Sequence, residues 1–569
     1  MELLPDNKLA GILAPVSALR GQSDLGIGDT AALVEFAGWA AEKGFGLVQI
    51  LPVNESGSDH SPYNILSSMA YEPSTITTTP TWLPELSQEA FDEICARHQA
   101  ERLRQGPVRY QAAKALKNEL LETAFRFFRS RKSNRVRQRA FAKFEQDEAD
   151  WLEPYSVFRA LVAWNGSEVR SQWPREHLSP EAAEDWESGL SAPDRKRFRD
   201  LIRFYRYVQW VARMQWKTVR AACDKLGVAL VGDIPVGVSI YSADVWASPR
   251  IFDLERSSGA PPEKVFKSDP FTERWGQNWG FPLYNWEAMS HDNFAWWRRR
   301  LGAACEVFHL LRVDHALGFF RIYSFPWRPE KNGEFTDLTP AQAAERTGGR
   351  LPGFTERDDN TEENRERNRL QGEVLFRVFL EETGRHRLIA EDLGEVAPYV
   401  RPTLEALEIP GFKIPQWERE PDGQLIPGSE YQRLSLATFA THDHPPLEQF
   451  WGDLVARCEN PDTCGQAEAE MRGLLTFCER PDISLPAPFT PEIHSALIRG
   501  LFACNSWMAV HQITDLFGLG ERFNIPGAVG DANWTTRIAG TPADWDKMFS
   551  AQVESAVAAL TETGRLRQP

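Results

Sequence analysis

The chain has 569 residues, with 64 Lys and Arg against 80 Asp and Glu, a net charge of −16 and 20 tryptophans. That length exceeds one minimal domain but suits a large barrel elaborated by insertions, and the acidic balance argues against nucleic acid or an anionic membrane surface and for a neutral ligand. Seven cysteines, none in a Cys-x-x-Cys pair, exclude a disulfide framework and imply a reducing compartment with no structural zinc.

In chain order, Lys8 precedes a short apolar run that Pro15 interrupts. This is neither a signal peptide nor a membrane span, so a cytoplasmic protein is expected. The run beginning at Gly11 reads as a buried parallel strand, as does Gly46–Asn54, and Thr30–Lys43 between them reads as a crossover helix. From Trp82 to Tyr205 the pattern is helical alone, with Leu116, Leu120, Ala124, Phe127 and Phe128 on one apolar face. The basic run Arg126–Lys143 lies inside it; without stacking aromatics it reads as a solvated helix face. Strands follow at Val228–Pro235, His309–His315, Arg387–Leu393, Gly411–Pro415, Ser435–Thr441 and Trp507–Ile513, with a helix at Asp292–Phe308. The charge-dense Glu356–Arg369 reads as an exposed loop. Eight strands alternating with helices predict an α/β protein, a (β/α)8 TIM barrel with helical and loop insertions. The divisions expected are 1–81, 206–328 and 371–569 for the barrel, 82–205 for the helical insertion and 329–370 for a charged loop insertion.

Chemistry in such a barrel sits where strands pass into loops, and four of the strands end in a carboxylate: Asp233, Asp314, Glu391 and Asp443. Any one alone is better read as a helix cap or ion-pair partner. Four on strand ends of one barrel point to glycoside chemistry, where one carboxyl protonates the leaving oxygen and another attacks or stabilises the sugar carbon. No Gly-rich phosphate loop and no clear metal-spaced pair accompany them, so no cofactor and no metal are expected.

The segments Ser61-Pro-Tyr63, Gly232-Asp-Ile-Pro-Val-Gly237, Ala243-Asp-Val-Trp246, Gly276-Gln-Asn-Trp-Gly-Phe-Pro282, Arg312-Val-Asp-His315, Ala390-Glu-Asp-Leu-Gly394, Thr441-His-Asp443 and Asn524-Ile-Pro-Gly527 occur in this order. Together they resemble the signature blocks of the amylomaltase, or disproportionating-enzyme, family of 4-α-glucanotransferases. The resemblance implies a retaining double displacement on α-1,4-glucans and maltooligosaccharides. It makes Asp314 the nucleophile, Glu391 the acid/base and Asp443 the stabiliser of the transition state, with the two reacting carboxyls about 5–5.5 Å apart. It further implies Arg312 beside the nucleophile, His442 on sugar hydroxyls, Tyr63 as a stacking ring, Asp233 and Asp244 as polar substrate contacts, and Trp279 on a loop over the acceptor side. Asp392, alternating away from Glu391 in a strand, is expected to be structural.

Two departures stand out. The last motif runs His442-Asp-His-Pro-Pro446 where most amylomaltases continue with an amide and a carboxylate, so a neighbouring subsite is expected to differ. Ser258-Gly-Ala-Pro-Pro262, Gly276–Pro282 and Arg312–Ile322 more closely resemble the plant-type cytosolic disproportionating enzyme, a branch associated with moving glucose from maltose to a polysaccharide. That branch normally carries N-terminal starch-binding modules, and with ten residues before Gly11 none is expected here. A hydrolase with the same carboxylates, a silent glucan-binding protein and a metal-dependent barrel hydrolase are the competing readings.

Overall fold

The computed structural model describes residues 3–130, 134–262, 269–526 and 533–567; Arg131–Ser133 of the basic run and Gly527 of the last motif lie outside them. Eight parallel strands form one sheet: β1 (Leu9–Leu13), β2 (Leu47–Gln49), β3 (Ala229–Ile234), β4 (Leu310–Val313), β5 (Leu388–Ala390), β6 (Gly411–Lys413), β7 (Ser435–Ala437) and β8 (Met508–Gln512). Their spatial order is β5-β4-β3-β2-β1-β8-β7-β6. The Ala390 N–H donates to Pro410 O at 2.9 Å across the remaining gap, and the Asp392 carboxylate accepts the Phe412 N–H at 2.7 Å and Arg401 Nε at 2.9 Å. These bonds join the two ends into a (β/α)8 barrel. Asp392 thus serves the β5–β6 seam.

The strands read as near-continuous apolar runs because both faces are covered. Leu13, Leu47, Val231, Leu310, Ile389, Leu436 and Val510 pack together inside the barrel. Their neighbours Ile12, Val48, Leu230, Leu311 and Ala437 pack outward against the helices. Since side chains alternate along a strand, the inward set fixes which later residues point to the lumen. Asp233 follows Val231 by two, Arg312 follows Leu310 by two, and Glu391 follows Ile389 by two.

Outside the strands lie helices that include α1 (Thr30–Glu42), α2 (Tyr110–Phe128), α3 (Ala192–Leu226), α4 (Ala295–Cys305), α5 (Glu362–Thr383), α6 (Leu447–Cys458) and α7 (Pro461–Phe477). α3 runs unbroken past residue 205 and delivers the chain to β3, its end closed by Gly227 at φ +67°, where glycine carries no steric cost. Gln209 of α3 brackets Tyr71 and Gln215 brackets Thr77, each bonding both the backbone N–H and C=O at 2.8–2.9 Å. The long segment after β2 is therefore anchored to α3.

Two expectations change. On α2, Leu116, Leu120, Ala124 and Phe128 are buried, but Phe127 is 44% exposed and Phe125 is buried in its place. Phe125 and Phe128 both meet Tyr207 of α3, which centres the packed arc on their side and leaves Phe127 at its rim. The charge-dense Glu356–Arg369 is not mainly a loop either: from Glu362 it is the start of α5, capped by Thr361, which accepts the Asn364 N–H. Pairs Arg365–Glu362, Arg369–Glu366, Arg369–Glu373 and Arg377–Glu373 at helical spacing stabilise that polar face. In the basic run, Arg137 pairs with Glu85 and Lys143 with Asp147. Among the described residues no helix is long and apolar enough to cross a membrane.

Candidate active site

The C-terminal ends of the strands bring most of the singled-out polar residues into one network. Asp233 on β3 and Arg312 on β4 are register partners, and Arg312 Nη1 lies 2.7 Å from both Asp233 oxygens and 3.0 Å from Asp314 Oδ1. Tyr63, from the segment anchored to α3, donates its hydroxyl to Asp233 Oδ2 at 2.7 Å and lies 3.3 Å from His442 Nδ1. Its ring stacks on that imidazole at 4.8 Å and 14°. His442 Nε2 then reaches Asp443 Oδ2 at 3.1 Å. The path from Asp443 through His442, Tyr63, Asp233 and Arg312 to Asp314 is continuous.

Glu391 joins through backbone. The turn after β4 puts His315 in the left-handed region, φ +43°, costly for a side chain of this size. That turn aims the His315 N–H at Glu391 Oε2, 2.8 Å away, while Glu391 Oε1 accepts the Leu393 N–H at 3.3 Å. Asp314 is placed in turn by the Val236 N–H on its Oδ2 at 3.2 Å. Trp279 meets the His315 ring edge-on at 4.8 Å and 85°, so it covers the residue that holds Glu391.

Charge states diverge within this small volume. Burial pushes the Glu391 carboxyl up to about 8; Arg312 opposes the shift and Asp314 adds to it. A carboxyl in that range carries a proton at neutral pH. Around Asp443 the surrounding protein also pushes upward, but His442 and Asn524 outweigh it and hold the carboxyl well below its ordinary value. Burial pulls Arg312 down, yet Asp233, Tyr63, Asp314 and Glu391 together hold it well above its ordinary value. Burial and Asp233 keep the Tyr63 phenol protonated, which suits its role as donor.

Asp244 stands apart. Its oxygens accept the Ser68 N–H at 2.8 Å, the Ser68 hydroxyl at 2.5 Å and Trp296 Nε1 at 2.9 Å, and no hydrogen bond links it to the network among the described residues. Phe281 packs against Gly237: a Cβ there would stand 2.7 Å from the Phe281 side chain. The loop bearing both aromatics is pinned by Trp279 N to Ser258 O at 3.0 Å and Ser258 N to Phe281 O at 2.8 Å. Ser258 belongs to a small antiparallel sheet with strands Ser257–Ala260, Gln277–Asn278, Ile322–Phe325 and Gly353–Thr355.

Three contributors carried no assigned role on sequence grounds. Asn524 Nδ2 donates to Asp443 Oδ1 at 2.7 Å, and Arg522 Nη2 to the Asp443 carbonyl at 2.8 Å. Trp417, 52% exposed, meets His444 edge-on at 5.0 Å; a tryptophan four residues beyond β6 was the available signal. His444 itself folds back, its Nδ1 lying 2.8 Å from the Thr441 hydroxyl, and burial pulls it down to about 4, so it is neutral.

Compared with known proteins, the family model described as 4-alpha-glucanotransferase matches residues 14–542. A 4-alpha-glucanotransferase of Chlamydia caviae is 30% identical over 538 residues, covering 93% of this chain and 90% of the relative. The 4-alpha-glucanotransferase DPE2 of Oryza sativa subsp. japonica is 34% identical over 322 residues, 56% of this chain and 32% of the relative. Among solved structures, the amylomaltase from Streptococcus agalactiae in complex with acarbose superposes with a TM-score of 0.75 at 22% identity, covering 98% of this chain and 99% of that one.

Proposed function

This chain belongs to the 4-alpha-glucanotransferase family and is an enzyme of that type, and on that premise we propose a retaining transfer between α-1,4-glucans through a covalent glycosyl-aspartate. Asp314 attacks the anomeric carbon while Glu391 gives its proton to the glycosidic oxygen, releasing the reducing-end fragment. Glu391, now a carboxylate, takes the proton of an acceptor hydroxyl, whose oxygen displaces Asp314 and restores the starting state. Arg312 orients Asp314 through their 3.0 Å contact, and Asp443, held ionised by His442 and Asn524, faces the positive charge that develops on the sugar ring. Tyr63, Asp233 and His442 hold sugar hydroxyls or the groups that do. The proposed substrates are α-1,4-glucans and maltooligosaccharides. The observation that carries this reading is one site with a carboxyl raised to about 8 beside an Arg-paired aspartate 3.0 Å from the guanidinium.

Incubation with maltotriose, with products resolved by chain length, tests the activity: both shorter and longer oligosaccharides form while the number of reducing ends stays constant. Net release of reducing ends identifies a hydrolase instead. Asp314→Asn lowers turnover by at least about a thousandfold while keeping the fold; turnover near that of the parent removes the nucleophile assignment. A second reading, transfer of glucose from maltose to a polysaccharide, draws on the blocks shared with the plant-type branch and on the His444-Pro445 departure. Maltose plus glycogen in the same assay separates the two.

A further inference from the structure

Outside the barrel mouth, α6 and α7 meet in a corner only two residues long, Glu459 and Asn460. Local bonds close the corner. The Asn460 side chain accepts the Asp462 N–H at 3.0 Å with Pro461 in the first turn, Thr463 Oγ1 donates to Arg457 O at 2.7 Å, and Arg457 pairs with Glu470 at 2.9 Å. Cys458, the last residue of α6, is thereby set against Cys464 in the first turn of α7, and Glu468 lies on the same face as Cys464, one turn on.

The three ligand atoms lie within 4.8 Å of one another, all partly buried, with Cys464 Sγ 3.8 Å from a Glu468 oxygen. Glu468 makes no ion pair with Lys, Arg or His among the described residues. Two thiols and a carboxylate converging at this spacing approach the edges of a small tetrahedron: with metal–sulfur bonds of about 2.3 Å and a metal–oxygen bond of about 2.0 Å, ligand atoms stand roughly 3.5–3.8 Å apart, the separation that Cys464 and Glu468 already show at 3.8 Å. The wide Cys-x5-Cys spacing hid the set in the sequence, because only the helix corner folds the two thiols together.

We propose that Cys458, Cys464 and Glu468 bind one thiophilic divalent cation of the Zn2+ type, with the partly open side of the corner leaving a fourth position for water. Each thiol loses its proton as its sulfur binds: one cation enters, two protons leave, and the carboxylate brings the site to a net charge of −1. The site is remote in role from glucan transfer and ties α7 to α6, the helix that follows the His442–Pro446 turn.

The test uses the full chain, stripped by chelator and kept under a non-thiol reductant so that a disulfide cannot mask the sulfurs. Titration with Cd2+ is followed by the ultraviolet thiolate-to-metal charge-transfer band, and Zn2+ is then added as competitor. One equivalent per chain is expected. Cys458→Ser and Cys464→Ser each lose the band and weaken Zn2+ binding by more than about tenfold, Glu468→Gln weakens it less, and Zn2+ raises the thermal midpoint of the parent only. The serine variants keep the circular dichroism spectrum of the parent, so a lost band reports the site. Binding that survives both serine variants, or no charge-transfer band with the parent, overturns the proposal.

Discussion

Glu391 and Asp443 show how one small volume sets two carboxyls to opposite charge states. Glu391 sits 9% exposed under the His315 turn, where burial pushes it up from 4.5 to about 8; Asp443 is held down by His442 and Asn524. The consequence for stability has a definite sign. The folded chain keeps the Glu391 proton up to about pH 8 whereas the unfolded chain releases it near 4.5, so this group's contribution is complete below 4.5 and is lost as pH climbs through 8. Glu391→Gln has no proton to lose there. Its thermal midpoint therefore gains on the parent's between pH 5 and 9, and its turnover falls by about 10²–10⁴-fold. In the parent, kcat/KM declines above about pH 8 as the free enzyme loses its acid. A flat profile through pH 9, with a constant midpoint difference, would show that Glu391 is not protonated in the resting site. Strand alternation made it legible in sequence that Glu391 and Asp392 face opposite ways; which of the two faces inward came from the motif, because Leu388, Ile389 and Ala390 are apolar on both faces. Asn524 was visible only as part of a motif: nothing local says that a loop after β8 will reach back to Asp443.

At the scale of elements, the barrel strands were legible because burial on both faces writes an uninterrupted apolar run. Their ends were not. Ser435–Thr441 reads as strand, yet β7 stops at Ala437, where the chain turns to bring Asp443 into place. Likewise α5 was hidden because a polar surface helix held by i,i+3 and i,i+4 pairs has the composition of an exposed loop. The loop Gly276–Pro282 belongs at this scale too, since its position depends on the small antiparallel sheet. Water is far more concentrated than any sugar acceptor, so transfer over hydrolysis requires an acceptor side that excludes it. In the proposed mechanism that part falls to Trp279, whose ring meets His315 edge-on. Trp279→Ala is expected to lower transfer more than hydrolysis, raising the share of donor released as new reducing ends by about tenfold or less. Following reducing ends and chain lengths in the same reaction decides the matter; an unmoved ratio would mean that acceptor choice lies elsewhere on the rim.

For the whole molecule, the two barrel ends divide the work: the C-terminal ends of the strands carry the network from Asp443 to Asp314, and the opposite end carries the closure of the chain on itself. Arg565, fully buried near the C-terminus, donates to five backbone carbonyls: Phe502 at 2.6 Å, Leu9 at 2.8 Å, Trp507 at 3.2 Å, Cys504 at 2.8 Å and Ser506 at 2.7 Å. Leu9 opens β1, and Ser506 and Trp507 lead into β8, so a single guanidinium holds together the first and last strands at their starting ends. A neutral or shorter side chain leaves several of these carbonyls buried without a donor, each costing about 1–3 kcal/mol before relaxation or water entry. Arg565→Ala is therefore expected to cost about 3–5 kcal/mol of stability, less than the sum because water and small shifts recover some bonds. Arg565→Lys recovers part of it, since an ammonium cannot serve five acceptors in a planar fork. Conservation of the site geometry predicts that both variants, assayed well below their unfolding temperatures, keep kcat within about twofold of the parent, because features of that barrel end serve stability. Urea midpoints and turnover measured on the same preparations check this. A variant as stable as the parent, or one that unfolds no earlier but loses turnover, would show that the tie between the first and last strands and the chemistry at the barrel mouth are not separable in this way.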